Sequence, residues 1–170
     1  MAITIWLTGL SGSGKSTLAN ALSERLKSRG VLCCVIDGDE LRRGLCADLS
    51  YSREDRQEDI RRAANVSQLL NAAGVTVVAA LISPYRDDCA MARAIIGSAA
   101  FFDVYLETSL QVCEQRNPKG LYRQARSGLI PKFTGISDHY EPPPHPYLQF
   151  DTHSRSVAEC LTLMQDLLTQ

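Results

Sequence analysis

The stretch ITIWLTGLSGSGKSTLANALSERLKSRG, residues 3–30, decides the fold. It opens with a β-rich apolar run from Ile3 to Thr8. It ends in a helical pattern whose apolar positions Leu18, Leu22 and Leu26 recur every four residues until Gly30 closes it. Between them the octet Gly9-Leu10-Ser11-Gly12-Ser13-Gly14-Lys15-Ser16 fits G-x-x-x-x-G-K-[ST]. A glycine-rich octet alone arises by chance at ordinary glycine usage. A strand directly before it and an amphipathic helix directly after it supply the setting its chemistry requires. The glycines let the backbone curl so that successive N–H groups face phosphate oxygens, and the helix N-terminus adds its positive end. Lys15 then reaches the β/γ-phosphates and the Ser16 hydroxyl can ligate Mg²⁺, which such sites hold through one or two protein groups plus substrate phosphates. The predicted nucleotide site is therefore Gly9, Ser11, Gly12, Ser13, Gly14, Lys15, Ser16 and Thr17.

Working outward, further candidate strands are Val31 to Asp37, Val75 to Ile82, Phe101 to Glu107 and Tyr147 to Asp151. Several are apolar on successive residues, as strands buried on both faces are, which points to a parallel sheet. Ser52-Arg53-Glu54-Asp55 has the pattern of a capping box and opens a helix carrying Ile60, Ala63, Leu70 and Ala73 that stops at Gly74. A last helix near Ser156 to Leu168 turns Val157, Leu161 and Leu168 inward. Strand, helix and strand at this spacing imply crossover connections. The fold class is α/β: a three-layer P-loop fold with a five-stranded, mainly parallel sheet and helices on both faces. A chain of 170 residues buries roughly 70% of its unfolded surface, so one domain over residues 1–170 is expected. One segment breaks the rhythm. KGLYRQARSGLIPKFTGISDHYEPPPH, residues 119–145, mixes basic, aromatic, glycine and proline residues with one short helix, and so predicts a mobile lid over about 118–145.

The net charge of -1, from 18 basic and 19 acidic residues, gives no global field for nucleic acid or an anionic membrane, so neither is an expected partner. Any anion must be bound by a local site. No apolar run approaches the ~20 residues of a membrane span. The opening MAITIWLTG lacks the pattern of a secretory leader, which predicts a cytoplasmic chain whose six cysteines are reduced. No cysteine pair has metal-ligand spacing, and His139, His145 and His153 have none either.

The acceptor side begins at VIDGDELRRGL, residues 35–45. Asp37 and Asp39 fall at the carboxyl end of the second strand, and open parallel sheets bind ligands in the crevice outside such ends. A carboxylate there can hold Mg²⁺ or accept the proton of an attacking hydroxyl. Arg42 and Arg43 follow, and Arg53, Arg56, Arg61 and Arg62 crowd the next helix. Planar guanidinium forks suit an anionic acceptor. Most of that helix reads instead as a salt-bridged solvent face, with one or two arginines left for the ligand.

GLSGSGKS, DGDELRRGL, YSREDRQEDIRR, LISPYRDD, NPKGLYRQARSG and FTGISDHYEPP, in this order, resemble the adenylylsulfate kinase family from Ile5 to roughly His153. That family uses ATP to phosphorylate the 3′-hydroxyl of adenosine 5′-phosphosulfate (APS), giving PAPS in sulfate assimilation. The resemblance implies catalytic roles for Lys15, Asp37, Asp39 and Lys119, with Asp39 orienting or deprotonating the ribose hydroxyl. Ser16, Asp37 and Asp39 would surround Mg²⁺. It implies that Arg42 and Arg56 grip the phosphosulfate, that Tyr51 and Phe133 sandwich the adenine, and that Ile82, Ser83, Lys119, Gly120 and Leu121 complete the APS site. Ser83 matches a serine phosphorylated in some relatives, and a homodimer is implied. Asp59 departs from the family, which usually carries asparagine there. An aspartate loses two N–H donors and adds negative charge beside an anionic ligand, so affinity for APS is expected to fall unless Arg56 or Arg62, each three residues away, pairs with it. Two other readings share the phosphate cradle: a kinase for gluconate, shikimate or a nucleotide, and a nucleotide-binding module without turnover.

Overall fold

The computed structural model describes residues 1–117, 119–164 and 167. Strands β1 (Thr4–Thr8), β2 (Cys33–Asp37), β3 (Thr76–Ala80), β4 (Phe101–Leu106) and β5 (Leu148–Phe150) form one sheet in the order β2-β3-β1-β4-β5. Every pairing is parallel, so the mainly parallel expectation becomes a wholly parallel one. The connecting helices are α1 (Lys15–Ser28), α2 (Gly38–Arg43), α3 (Arg53–Ala72), α4 (Arg86–Ile96), α5 (Leu110–Arg116), α6 (Leu121–Arg126) and α7 (Val157–Leu163).

The period-2 alternation of β1 sorts the layers. Ile5 and Leu7 pack with Leu18, Leu22 and Leu26 of α1 and Cys160 and Leu161 of α7. Trp6 faces the other way, into Ile60, Ala63 and Ala64 of α3 and Ala92 and Ile96 of α4. Each fully buried large side chain contributes roughly 1.5–3 kcal/mol, so both faces of β1 anchor the domain's two cores. The polar ends of the strand are matched: Thr4 donates to the Asn71 side chain at 2.7 Å and Thr8 to the Ile82 carbonyl at 2.7 Å.

β2 and β3 start later than the apolar runs predict, for one shared reason. Val31 N–H donates back to Leu26 O and Val75 N–H to Leu70 O, closing the preceding helices around Gly30 and Gly74, whose φ values are 79° and 82°. Those residues belong to helix caps. The expected box at Ser52 is half formed. Its hydroxyl accepts from Asp55 N–H at 3.1 Å, but the Asp55 carboxylate turns to Ser50 N–H at 2.8 Å. A complete capping box sits at α7, between Ser156 and Glu159. Val157, expected inward, is 40% exposed, whereas Leu161 is buried; Leu168 lies outside the described residues.

The segment expected as a mobile lid is docked on the body. Tyr122 donates to Ser11 O at 2.7 Å, the Tyr140 hydroxyl meets Thr8 Oγ1 at 2.9 Å, and Glu141 N–H donates to Pro84 O at 2.8 Å. It contains α6 and a tight turn joined by a bridge between Thr134 and Asp138. The predicted first lid residue, Pro118, lies outside the described residues.

Candidate active site

The chain leaves adjacent strands β1 and β3 in opposite directions, toward β2 and β4, which opens a crevice at their carboxyl ends. A cavity of about 740 Å³ lies there. One wall is the phosphate cradle. A Cβ on Gly9 (φ 148°) would stand 2.9 Å from Leu106 O, and one on Gly12 (φ 81°) 2.9 Å from Cys113 O, so the curl admits no larger residue. Lys15 folds back on this loop, donating to Gly9 O at 2.9 Å and Leu10 O at 2.8 Å. Burial pulls its pKa down to about 8, against partial opposition from Cys113, Asp37 and Asp39.

Ser16 donates to Asp37 Oδ2 at 2.5 Å, and Asp37 Oδ1 accepts Asp39 N–H at 2.9 Å as the N-cap of α2. One aspartate thus joins the cradle to the helix that bears Asp39 and Arg42. A hydroxyl and a carboxylate in contact are hard oxygen donors that fit Mg²⁺ completed by phosphates and water. No group of three or more His, Cys, Asp or Glu that could hold an ion unaided occurs among the described residues.

Across the cavity, Lys119 donates to Asp39 Oδ2, so a lid lysine and the predicted hydroxyl-orienting aspartate are already paired. Arg42 lies 4.3 Å over the Tyr51 ring and donates to Ser50 O at 2.9 Å and Asp59 Oδ2 at 3.1 Å. The partner of Asp59 is thus Arg42, and neither pairing that helix spacing offered, with Arg56 or with Arg62, supplies it. Asp59 projects from α3 toward α2, whereas Arg62 is taken by Asp48 at 2.6 Å and Glu58 at 2.9 Å. Arg56 turns inward. It is 8% exposed and donates to Tyr51 O at 3.1 Å, Thr134 Oγ1 at 2.9 Å and Lys132 O at 2.5 Å. Three of its N–H groups therefore hold a loop and the lid, which leaves two of the five a guanidinium carries. The solvent-face reading holds for Arg61 and Arg62, whose hydrogen bonds, Arg61 first, bring Glu58 down to about 2. It also holds for Arg43, which is paired with Glu40.

Of the predicted residues, Ser11, Gly12, Gly14, Lys15, Ser16, Thr17, Asp37, Asp39, Arg42, Tyr51, Arg56, Asp59, Ile82, Ser83, Lys119, Leu121 and Phe133 line the cavity. Gly9, Ser13 and Gly120 stand behind it: Gly9 and Ser13 shape the cradle, and Gly120 (φ 67°) caps α6. Ser83 is buried, with its hydroxyl accepting Trp6 Nε1–H at 2.9 Å. Sequence reasoning missed the wall formed by Arg116, Thr152 and Arg155. Thr152 Oγ1 donates to Ser13 O at 2.8 Å, accepts from Arg116 at 3.0 Å and meets Thr108 Oγ1 at 2.7 Å, while Arg116 also donates to Gly12 O at 3.1 Å. The available signal was positional: Thr152 lies just past the end of β5, where parallel-sheet crevices take their residues.

A phosphate cradle on a parallel sheet, with a hydroxyl–carboxylate pair beside it and cations across the cleft, defines a P-loop kinase. Comparison with known proteins gives the family: the chain belongs to the adenylylsulphate kinases, whose family model matches residues 1–151. It is 49% identical over 166 residues to a probable adenylyl-sulfate kinase of Halalkalibacterium halodurans, covering 98% of this chain and 80% of that one. It is 50% identical over 165 residues to the adenylyl-sulfate kinase of Pseudomonas entomophila, covering 97% and 79%. Its fold superposes with a TM-score of 0.95 on the Mycobacterium tuberculosis APS kinase CysC in complex with AMPPNP and APS, at 44% identity over 99% of this chain and 98% of that one. The motif resemblance is therefore borne out over nearly the whole chain.

Proposed function

We propose that this protein transfers the γ-phosphoryl group of ATP to the 3′-hydroxyl of APS, giving ADP and PAPS. The observation that carries this reading is one cavity in which Lys15 and Ser16 stand on one wall and Asp39, Arg42, Tyr51 and Phe133 on the other. The phosphates of ATP bind to the cradle N–H groups, and Lys15 exchanges its two loop carbonyls for phosphate oxygens. Ser16 and Asp37 would hold Mg²⁺, which would supply charge neutralisation for the phosphates. APS is an adenine-bearing dianion, and Tyr51 and Phe133 offer aromatic faces while Arg42 and the two remaining N–H groups of Arg56 offer donors. Asp39 accepts a hydrogen bond from the ribose hydroxyl and orients it in line with the γ-phosphorus. Because phosphoryl transfer passes through a loose transition state, the charge of Lys15 and Lys119 contributes more than proton removal by Asp39.

The sulfate-assimilation role, a cytoplasmic location fitting six unpaired thiols, and a homodimer belong to the same proposal. A related APS kinase from Thiobacillus denitrificans is described as hexameric, and this chain covers 28% of it. Sedimentation of the purified protein at twice the chain mass is the result expected for the dimer, and sedimentation at the chain mass would overturn it. The decisive assay incubates the protein with Mg-ATP and APS and follows ADP and PAPS, with gluconate, shikimate and AMP as alternative acceptors. Equal release of ADP and PAPS with APS alone is the expected result. Turnover with another acceptor and none with APS overturns the reading.

A further inference from the structure

Two stretches that the proposed transfer does not use meet in the structure. Tyr85 donates to Asp138 Oδ2 at 2.9 Å, Arg86 N–H donates to Glu141 at 3.0 Å, and the Arg86 side chain donates to Pro142 O at 2.9 Å. Tyr85 is itself held. The Arg53 guanidinium lies 4.0 Å over its ring, and Arg53 is fixed at 3.0 Å by Asp88, which is fully buried. Asp138 closes a tight turn: its carbonyl accepts Gly135 N–H at 2.9 Å and its N–H donates to Phe133 O at 3.1 Å. That turn presents Phe133 to the cavity and Thr134 to Arg56. On its other side a Cβ on Gly135 would come within 3.1 Å of the Leu10 side chain in the phosphate cradle. The turn is thus wedged between the donor wall and the arginine of the acceptor wall. The Asp138 carboxylate also lies 3.9 Å from Arg56.

We propose that Tyr85 and Asp138 are positioning residues for the acceptor: their hydrogen bond fixes the turn that carries Phe133 and holds Arg56, although neither residue lines the cavity. The physical reason is geometric. Arg56 spends three N–H groups on Tyr51, Lys132 and Thr134, so the place of its two remaining N–H groups is set by where the turn sits. The two Arg86 hydrogen bonds fall on Glu141 and Pro142, beyond the turn, so the Tyr85–Asp138 bond is the contact from this side that reaches the turn itself.

The inference rests on the reading of this wall as the APS site, and the test separates the two. Tyr85→Phe keeps the ring and its stack on Arg53 and removes one O–H from a carboxylate. KM for APS is expected to rise roughly tenfold, the scale of a lost charge-assisted hydrogen bond, while kcat and KM for ATP stay within about twofold. Asp138→Ala should do the same, and the double variant should add little to either. Trypsin should cleave after Lys132 faster in Tyr85→Phe than in the wild type, with or without substrate. If wild-type protein makes no PAPS, the proposed function falls, and the trypsin comparison still decides the placement of the turn. An unchanged KM for APS, equal rises in KM for APS and ATP, additive single effects, or an unchanged cleavage rate after Lys132 would each overturn the inference.

Discussion

The two walls of the cavity are built on different principles. The donor wall is contiguous: residues 9–17 supply the cradle, the lysine and the cation hydroxyl, and Lys15 is satisfied by carbonyls five and six residues away. The acceptor wall is gathered from α2, α3, the loop after β3 and the lid, and its key groups hold one another across 17 to 80 residues of chain. A local device tolerates changes elsewhere in the chain. A gathered one couples every member to the others, so single substitutions there should show non-additive effects, while those on the donor wall should act alone.

The largest expected effect breaks the donor wall. Lys15→Met removes the cation proposed to meet the β/γ-phosphates, and kcat should fall about 10²–10³-fold with little change in acceptor binding, measured by ADP release under saturating substrates. The next is on the other wall. Arg42→Ala should raise KM for APS roughly thirtyfold, about 2 kcal/mol, and leave KM for ATP alone. It also strands Asp59, whose side chain is 10% exposed, without its cation. The thermal midpoint should therefore drop, and Arg42→Ala/Asp59→Ala should recover part of the loss. A drop in the double variant equal to the sum of the drops in Arg42→Ala and Asp59→Ala would show that the pair is not coupled.

This contrast also explains what was legible in the chain. The cradle, its flanking strand and helix, and the closing glycines at 30 and 74 could be read because their causes are local: each residue's partner lies within a few positions. The parallel, crossover-connected sheet could be read from the spacing of strands and helices, whereas the strand order, and with it the crevice between β1 and β3, came only from the fold. Side-chain partnerships across elements could not be read that way. Helix spacing offered Asp59 an arginine three residues away, whereas the fold brings Arg42 from another helix to it at 3.1 Å. The lid was read from its mixed composition, while the contacts through which Tyr122, Tyr140 and Glu141 meet the body are ones that no local period signals.

Thr152 is a third kind of case, a distant residue that supports the local wall. Its hydroxyl makes three hydrogen bonds at once, to Ser13 O, Arg116 and Thr108. Thr152→Val keeps the shape and removes all three, leaving the Ser13 carbonyl and Arg116 short of partners. KM for ATP should rise roughly tenfold while KM for APS is unchanged. If instead APS binding suffered and ATP binding did not, Thr152 would belong to the gathered wall and the division drawn above would be wrong.

The smallest expected effect is the most informative about the acceptor wall, because its sign is opposite to the others. Asp59 is 7% exposed, takes Arg42 on Oδ2, and leaves Oδ1 buried without a hydrogen-bond partner among the described residues. Beside it the thiol of Cys46 is pushed up to about 12, by burial first and then by the Asp59 carboxylate, so that it stays protonated. If Arg42 grips the acceptor as proposed, an anionic acceptor competes with a built-in carboxylate for the same guanidinium. Asp59→Asn keeps an oxygen for Arg42, adds two N–H donors and removes one negative charge from the wall. Two effects oppose each other: Arg42 is held less firmly, which weakens its placement, and it is freed from a counter-ion, which strengthens its attraction for a dianion. Since a nearly buried pair is screened little by salt, the second effect should win or balance the first. KM for APS should stay the same or fall by up to about tenfold, and it should rise more steeply with ionic strength than in the wild type, measured as initial rates between low and high salt. A large rise in KM for APS would mean that Asp59 places Arg42 more than it opposes the acceptor, and that this carboxylate works as a strut rather than a competitor.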